Sequence, residues 1–330
     1  MAHESLVKAI ALLCFASTSF LHVHAAEIIK LAHTANIAHI HHDAAKLFAK
    51  GVADRTQGKY NVQIYPAGEL GDQPALAEQI TMSALDMAIV SLGNMAMYDR
   101  RLNAMTAPFL FKDYDHAHRV IDAFVMTWMN KGLAQYDAVG LSMFDYGFRQ
   151  VTTQNIVVNT ADDLKGVKIR VPPSTGLMAA FDALGANTQK IAYSELYTSL
   201  KQGVIDGEEN PVFTIRADSL FETQNQLALT NHYFDCQVLL INKTFFESLP
   251  TDVQKIIREE AIKAQNLTRE KISSEEGTVI EDLKSKGMNV TTPDRDSFVK
   301  KMHPAYEKVG ELSGKDAMNE LLSAVKANTK

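Results

Sequence analysis

The chain is poor in cysteine. Its 330 residues hold two, Cys14 and Cys236. Cys14 lies in an apolar N-terminal run and lacks the small residues before it that a lipid-attachment site requires. If that run is removed, Cys236 is alone and no internal disulfide can form. A chain of this length needs none, because its core suffices. Positive charge is also scarce. There are 33 Lys and Arg against 39 Asp and Glu, a net charge of -6, and no Lys/Arg cluster exceeds two residues. Nucleic-acid binding needs a basic face, so that class is excluded. Signatures of catalysis are missing too. No Gly-x-Ser-x-Gly elbow and no His-Glu-x-x-His helix occurs, and a hydrolase needs a nucleophile beside a base. Gly68-Glu69-Leu70-Gly71-Asp72 lacks the Gly-Lys-Ser/Thr of a phosphate loop and the three glycines of a dinucleotide fingerprint. There is no repeat, low-complexity tract or Gly/Ser linker. Two lobes, if present, are therefore joined by strands and not by a floppy tether.

Apolar residues make up 46% of the chain and charged residues 22%, which fits a folded protein long enough for two domains. Lys8, the uncharged run Ala9 to Leu21 and Val23-His24-Ala25 together read as a signal peptide, residues 1–25, cut after Ala25 or Ala26. The run is too short to span a bilayer. Export without disulfides fits the periplasm of a Gram-negative bacterium. The Asn-x-Thr triplets at Asn242, Asn266 and Asn289 matter only in a glycosylating host.

Beyond Ala26 the hydrophobic pattern alternates between strand and helix. Ile28 to Ala32, Val62 to Pro66 and Met87 to Val90 read as strands, with helices over Asp43 to Thr56 and Gly71 to Met82 between them. Strands are also predicted at Val151 to Val158, Val167 to Val171 and Val238 to Ile241. Ser174 or Thr175 caps a helix that Gly185 stops, and Ser194 to Gln202 is another short helix. This alternation predicts an α/β fold with an open, largely parallel sheet and helices on both faces. From about Thr251 to Lys286 runs the longest helical stretch. At about 1.5 Å per residue it extends roughly 50 Å, more than one domain's diameter, so it spans both lobes.

Arg149 and Arg170 each follow or lie in an apolar strand segment, and Arg170 precedes Val171-Pro172-Pro173 and a capped helix. Ligands of open α/β sheets sit off the carboxyl ends of strands, near helix N-termini. The planar guanidinium fork matches a carboxylate edge-on. Both arginines are therefore candidates to grip an anionic ligand. Asn210 stands before Pro211, which restricts its backbone and fixes where its amide points; a turn role is the plainer alternative. His33, His39, His41 and His42 cluster near the start without a metal-binding spacing, so no metal site is expected. His33, at the end of the first strand, is a candidate cleft residue. Ser91-Leu92-Gly93-Asn94 is a source of polar groups for a cleft.

Several phrases, taken in order, resemble the solute-binding subunit of TRAP transporters, the DctP family. They are Tyr65-Pro66 with Gly68-Glu69-Leu70-Gly71, Leu85 to Ala88, Pro108 to Phe111, Gly147-Phe148-Arg149, Asp163 to Gly166 leading to Arg170, Asp206 to Pro211, and Thr230-Asn231-His232. The resemblance implies a two-lobe periplasmic binding protein fold with a hinge, closing over one ligand, with a long helix behind both lobes. It divides the chain into residues 26–147 plus about 236–275, and 148–235 plus about 276–330. It implies that Arg170 pairs with a ligand carboxylate, that Arg149 and Asn210 are further contacts, and that Tyr193 packs on the ligand. No cofactor is implied. The partners implied are a small organic acid and the TRAP membrane permease subunits, served by a monomeric carrier. Sialic-acid-binding members carry an acidic residue where this chain has Ser91 and an arginine where it has Asn94. Gln73, Ser91, Asn94 and Asp235 instead favour a hydroxylated sugar acid, a uronate or aldonate, because polar sites reject analogues that lack hydroxyls. A C4-dicarboxylate or another small carboxylate is the alternative. A secreted enzyme acting on sugar acids, with Asp235, Glu209 and a histidine as acid–base groups, is the alternative from another class.

Overall fold

A computed structural model describes residues 26–329; the proposed signal peptide lies outside them. Nine strands form one sheet: β1 (Glu27–His33), β2 (Tyr60–Tyr65), β3 (Met87–Ser91), β4 (Ala138–Thr153), β5 (Lys168–Val171), β6 (Asn187–Lys190), β7 (Gly207–Pro211), β8 (Gln226–Asn242) and β9 (Asn289–Thr291). The order is β2-β1-β3-β8-β4-β7-β5-β6, with β9 beside β8. β1 pairs in parallel with β2 and β3, and β5 in parallel with β6 and β7. The pairs β3–β8, β8–β4 and β4–β7 are antiparallel. The expectation of a largely parallel sheet is thus corrected. Two small parallel units are joined through a central antiparallel pair.

That pair is also where the strand reading fell short. β4 begins at Ala138 and stops at Thr153, so residues 154–158 are not strand, and β8 runs far beyond Val238–Ile241. Both strands carry buried polar side chains, Asp145 and Arg149 on β4, Asp235 and Gln237 on β8. These interrupt the apolar alternation by which a strand is recognised. Register shifts fall at Gly140/Ser142, Asp145/Gly147 and Arg149/Val151. Gly147 has φ +109°, a conformation that costs glycine nothing and a side-chain-bearing residue strain. The ladder therefore bends as it passes from one lobe to the other.

Alternation on β8 divides the first lobe's core. Val238 and Leu240 pack on one face with Leu76, Val120 and Trp128. Leu239 and Ile241 pack on the other with Phe48, Ile89 and Ile257. The second lobe has its own clusters around Ile169, Val171 and Phe181, and around Phe213, Ile215 and Leu227. The long helix, Thr251–Ser285, buries Ile257, Ala261 and Ala264 in the first lobe and Ile272, Val279 and Leu283 in the second. It spans both lobes, as its length foretold. The last helix, Lys315–Ala327, departs from the expected division. Its Ala317, Met318 and Leu321 join the first lobe's core, and Trp128 Nε1 donates to Glu320 Oε2 at 2.8 Å. The lobes meet closely at Gly176, where a Cβ would lie 1.7 Å from Thr106 Oγ1.

Candidate functional site

A cavity of about 270 Å³ lies between the lobes. Eight of the nine sequence candidates line it: Gln73, Ser91, Asn94, Arg149, Arg170, Tyr193, Asn210 and Asp235. His33 does not. It is buried, its Nε2 sits 3.2 Å from His42 Nδ1, and its carbonyl accepts from Gly68 N. Its place in the lining is corrected: the end of β1 is packed against the first helix (Ile40–Arg55), not open to the cleft.

Arg170 is the penultimate residue of the short strand β5, between Ile169 and Val171, and is 1% exposed. Its Nε donates to Ile191 O at 3.0 Å. Nη1 is buried with no partner, and among the described residues no carboxylate lies within ion-pair distance of this guanidinium. The Tyr193 ring centre is 5.9 Å from Arg170 Cζ. Burial lowers the Arg170 pKa, although Glu209 opposes the shift. A buried cation without a counter-ion is costly, so the site is built to receive an anion.

Arg149 is in the opposite state. Antiparallel pairing sets Arg149 opposite Pro211 and Gln150 opposite Asn210, which carries the β7 acids to its fork. Nε donates to Glu209 Oε2 at 2.5 Å, Nη2 to Glu209 Oε1 at 2.9 Å and to Asn210 Oδ1 at 3.0 Å, and Nη1 to Asp235 Oδ2 at 2.8 Å. Burial works against its charge, but the Glu209 and Asp235 carboxylates outweigh burial and raise its pKa. Its fork is therefore largely occupied by the protein. The Asn210 amide likewise donates to Glu208, which burial pushes up to about 7. Burial pushes Asp235 up to about 6, against the pull of Arg149.

At the first-lobe end a cluster of neutral groups lies beside Asp72. β3 ends at Ser91, beside the start of the helix Gln73–Thr81. Gln73 Oε1 accepts from Ser91 N and from Asn94 Nδ2, both at 2.8 Å, and Asn94 Nδ2 also reaches Ser91 Oγ at 2.9 Å. Between the two ends β8 lays Tyr233, Asp235 and Gln237 along the cavity. Successive side chains of a strand alternate in face, so positions i, i+2 and i+4 face together. Sequence reasoning chose Asp235 and missed Tyr233 and Gln237, which that spacing around Asp235 could have supplied. It also missed Tyr146 and Thr106, for which no local signal exists, and Ser174, which was read only as a helix cap.

The histidines stand behind the wall. The rings of His39 and His41 each lie 5.1 Å from the ring of Tyr146, a lining residue, and His41 Nε2 is 2.8 Å from Asp145 O. Burial lowers His41 to about 4. The unfolded chain, with an ordinary value of 6.5, therefore takes up a proton that the folded chain refuses. This contribution to stability is intact above about pH 6.5 and is lost as pH falls towards 4. Glu208 and Asp235 are shifted upward and act in the opposite sense, so the test is a difference. His41→Phe is expected to flatten the acid loss of stability by up to about 1.4 kcal/mol per pH unit between about pH 6 and 4.5. Urea unfolding across that window checks it; an unchanged slope contradicts it.

Known proteins resemble this chain over most of its length. The model of the DctP family, described as bacterial extracellular solute-binding protein, family 7, matches residues 31–312. The sialic acid-binding periplasmic protein SiaP of Vibrio cholerae is 29% identical over 300 residues, covering 91% of this chain and 93% of that protein. The 2,3-diketo-L-gulonate-binding periplasmic protein YiaO of Escherichia coli is 31% identical over 283 residues, covering 86% of this chain and 85% of that protein. The crystal structure of the sugar acid binding protein DctPAm from Advenella mimigardefordensis, in complex with galactonate, aligns with a TM-score of 0.89 at 26% identity, covering 92% of this chain and 99% of that chain. The enzyme alternative falls with these matches, because the family binds solutes for transport. The chain belongs to the DctP family of bacterial extracellular solute-binding proteins, the solute-binding subunits of TRAP transporters.

Proposed function

We propose that this protein captures a hydroxylated sugar acid, an aldonate or uronate, in the periplasm and delivers it to a TRAP permease. The observation that carries the reading is Arg170, a buried guanidinium without a counter-ion on the wall of an interlobe cavity. The ligand carboxylate completes it. Gln73, Ser91, Asn94 and Gln237 offer neutral donors and acceptors to hydroxyls at the other end, and a site rich in such groups rejects ligands that leave them unpaired. Arg149 and Asn210, held by Glu209 and Glu208, shape the carboxylate end more than they grip it. Tyr193 walls the ligand beside Arg170. The names of SiaP, YiaO and DctPAm, each said to bind a sugar acid or sialic acid, support the ligand class. Neutral Ser91 and Asn94 favour a ligand shorter than a sialic acid.

Closure of the lobes about β4 and β8 is the transport-competent step in this reading, with the division at residues 147/148 and 235/236 and the last helix placed in the first lobe. Residues 1–25 are removed on export, and the carrier is monomeric; mass spectrometry of the exported protein and light scattering check these two statements. A thermal-shift screen over galactonate, glucuronate, sialic acid and succinate tests the function itself. A ligand at 100 times its dissociation constant stabilises the fold by about 2.7 kcal/mol. The reading expects the largest shift from an aldonate or uronate. A response to succinate alone supports the C4-dicarboxylate alternative, and turnover of any acid revives an enzyme.

A further inference from the structure

We propose that Asp235 sets how many carboxylates a ligand carries: it accepts a ligand hydroxyl and turns away acids with a second carboxylate. The inference rests on the sugar-acid reading above and extends it to charge selection. Among the described residues, four charged ones line the cavity: Asp72, Arg149, Arg170 and Asp235. Asp72 already accepts from Ser194 Oγ at 2.9 Å across the cleft. Arg149 is bound by Glu209 and Asp235, and the three together are net negative when both acids are ionised. One guanidinium, Arg170, is left for one carboxylate.

Asp235 occupies the middle of the β8 face, between Tyr233 and Gln237. Its side chain is 6% exposed. Oδ2 takes Arg149 Nη1, whereas Oδ1 has no hydrogen-bond partner among the described residues. A ligand hydroxyl meets that need and a ligand carboxylate aggravates it. Neither lining arginine hydrogen-bonds to the neutral cluster of Gln73, Ser91 and Asn94, whose bonds run within the cluster, and the charged neighbour there is the anion Asp72. Two like charges about 6 Å apart at an effective dielectric of about 20 cost roughly a hundredfold in affinity.

The test compares galactonate with galactarate, the same six-carbon chain ending in a second carboxylate, by calorimetry on the wild type and Asp235→Asn. The asparagine keeps an oxygen for Arg149 and removes the charge. The wild type is expected to prefer galactonate by at least about tenfold, and Asp235→Asn to narrow that ratio by at least about fivefold through tighter binding of galactarate. Equal wild-type affinities overturn the inference, and so does a ratio unchanged in a folded Asp235→Asn. Should that variant fail to fold, Gln237→Glu adds a carboxylate on the same face without touching the Arg149 cluster. It is expected to widen the ratio, and no widening counts against the inference. If the wild type binds neither these acids nor any other sugar acid, the sugar-acid reading itself has failed, and the charge filter with it.

Discussion

Arg170→Met is expected to lose ligand binding and to gain stability. Charge-assisted hydrogen bonds contribute about 1.5–3 kcal/mol each. A carboxylate held by two of them is therefore weakened by about a hundredfold or more when the fork is removed. Arg170→Lys keeps the charge and loses the planar fork, so it falls between the two. The opposite sign is expected for the unliganded fold. The wild type buries a guanidinium whose Nη1 has no hydrogen-bond partner among the described residues and which makes no ion pair there, Glu209 and Glu208 acting on its charge only from a distance. An unsatisfied buried polar group costs about 1–3 kcal/mol, and more when charged. Methionine fills similar space along the stem without that cost. Urea unfolding of the ligand-free proteins should place Arg170→Met about 1–3 kcal/mol above the wild type. A destabilised variant would mean that Arg170 holds the fold together, and its assignment as ligand receptor would be wrong.

Arg149→Met has the reverse profile. Its loss leaves Glu209, fully buried, and Asp235, nearly so, without their shared cation. Removing one partner from a buried ion pair costs about 3–5 kcal/mol, because the other charge stays behind. The expected result is a folded-state loss of that size in denaturant unfolding, with Glu209→Gln in the same chain restoring part of it. Affinity then falls chiefly through the misplaced Asn210 and Asp235, which Arg149 holds at 3.0 and 2.8 Å. A stability change under about 1 kcal/mol would show that the cluster is solvated and that the pair is no stronger than a surface one. The two arginines thus separate by experiment: one is a ligand receptor at the expense of stability, the other a strut.

How much of this was legible beforehand depends on range along the chain. The long helix and the parallel units came from local periodicity, which a sequence displays directly. The central pair β4 and β8 did not, because Asp145, Arg149, Asp235 and Gln237 are buried in it and disguise its strand pattern. Arg170 was readable because its context is local: an apolar strand, two prolines and a capped helix. The difference between Arg170 and Arg149 was not. It depends on β7 lying antiparallel to β4, so that Glu209 reaches a guanidinium 60 residues away. His33 misled although its partner His42 is near in sequence, because their contact is made only once the first helix folds back on β1. That the last helix packs back on Trp128 was not legible, because nothing local announces the return.

The most direct test is a crystal structure of the protein grown with galactonate. The account places the carboxylate of the bound acid on the Nη atoms of Arg170 at ordinary hydrogen-bond distance, about 2.7–3.2 Å, with hydroxyls towards Asp235 and the Gln73–Ser91–Asn94 cluster. An acid bound with its carboxylate elsewhere, leaving the Arg170 guanidinium as bare as in the free protein, would contradict it.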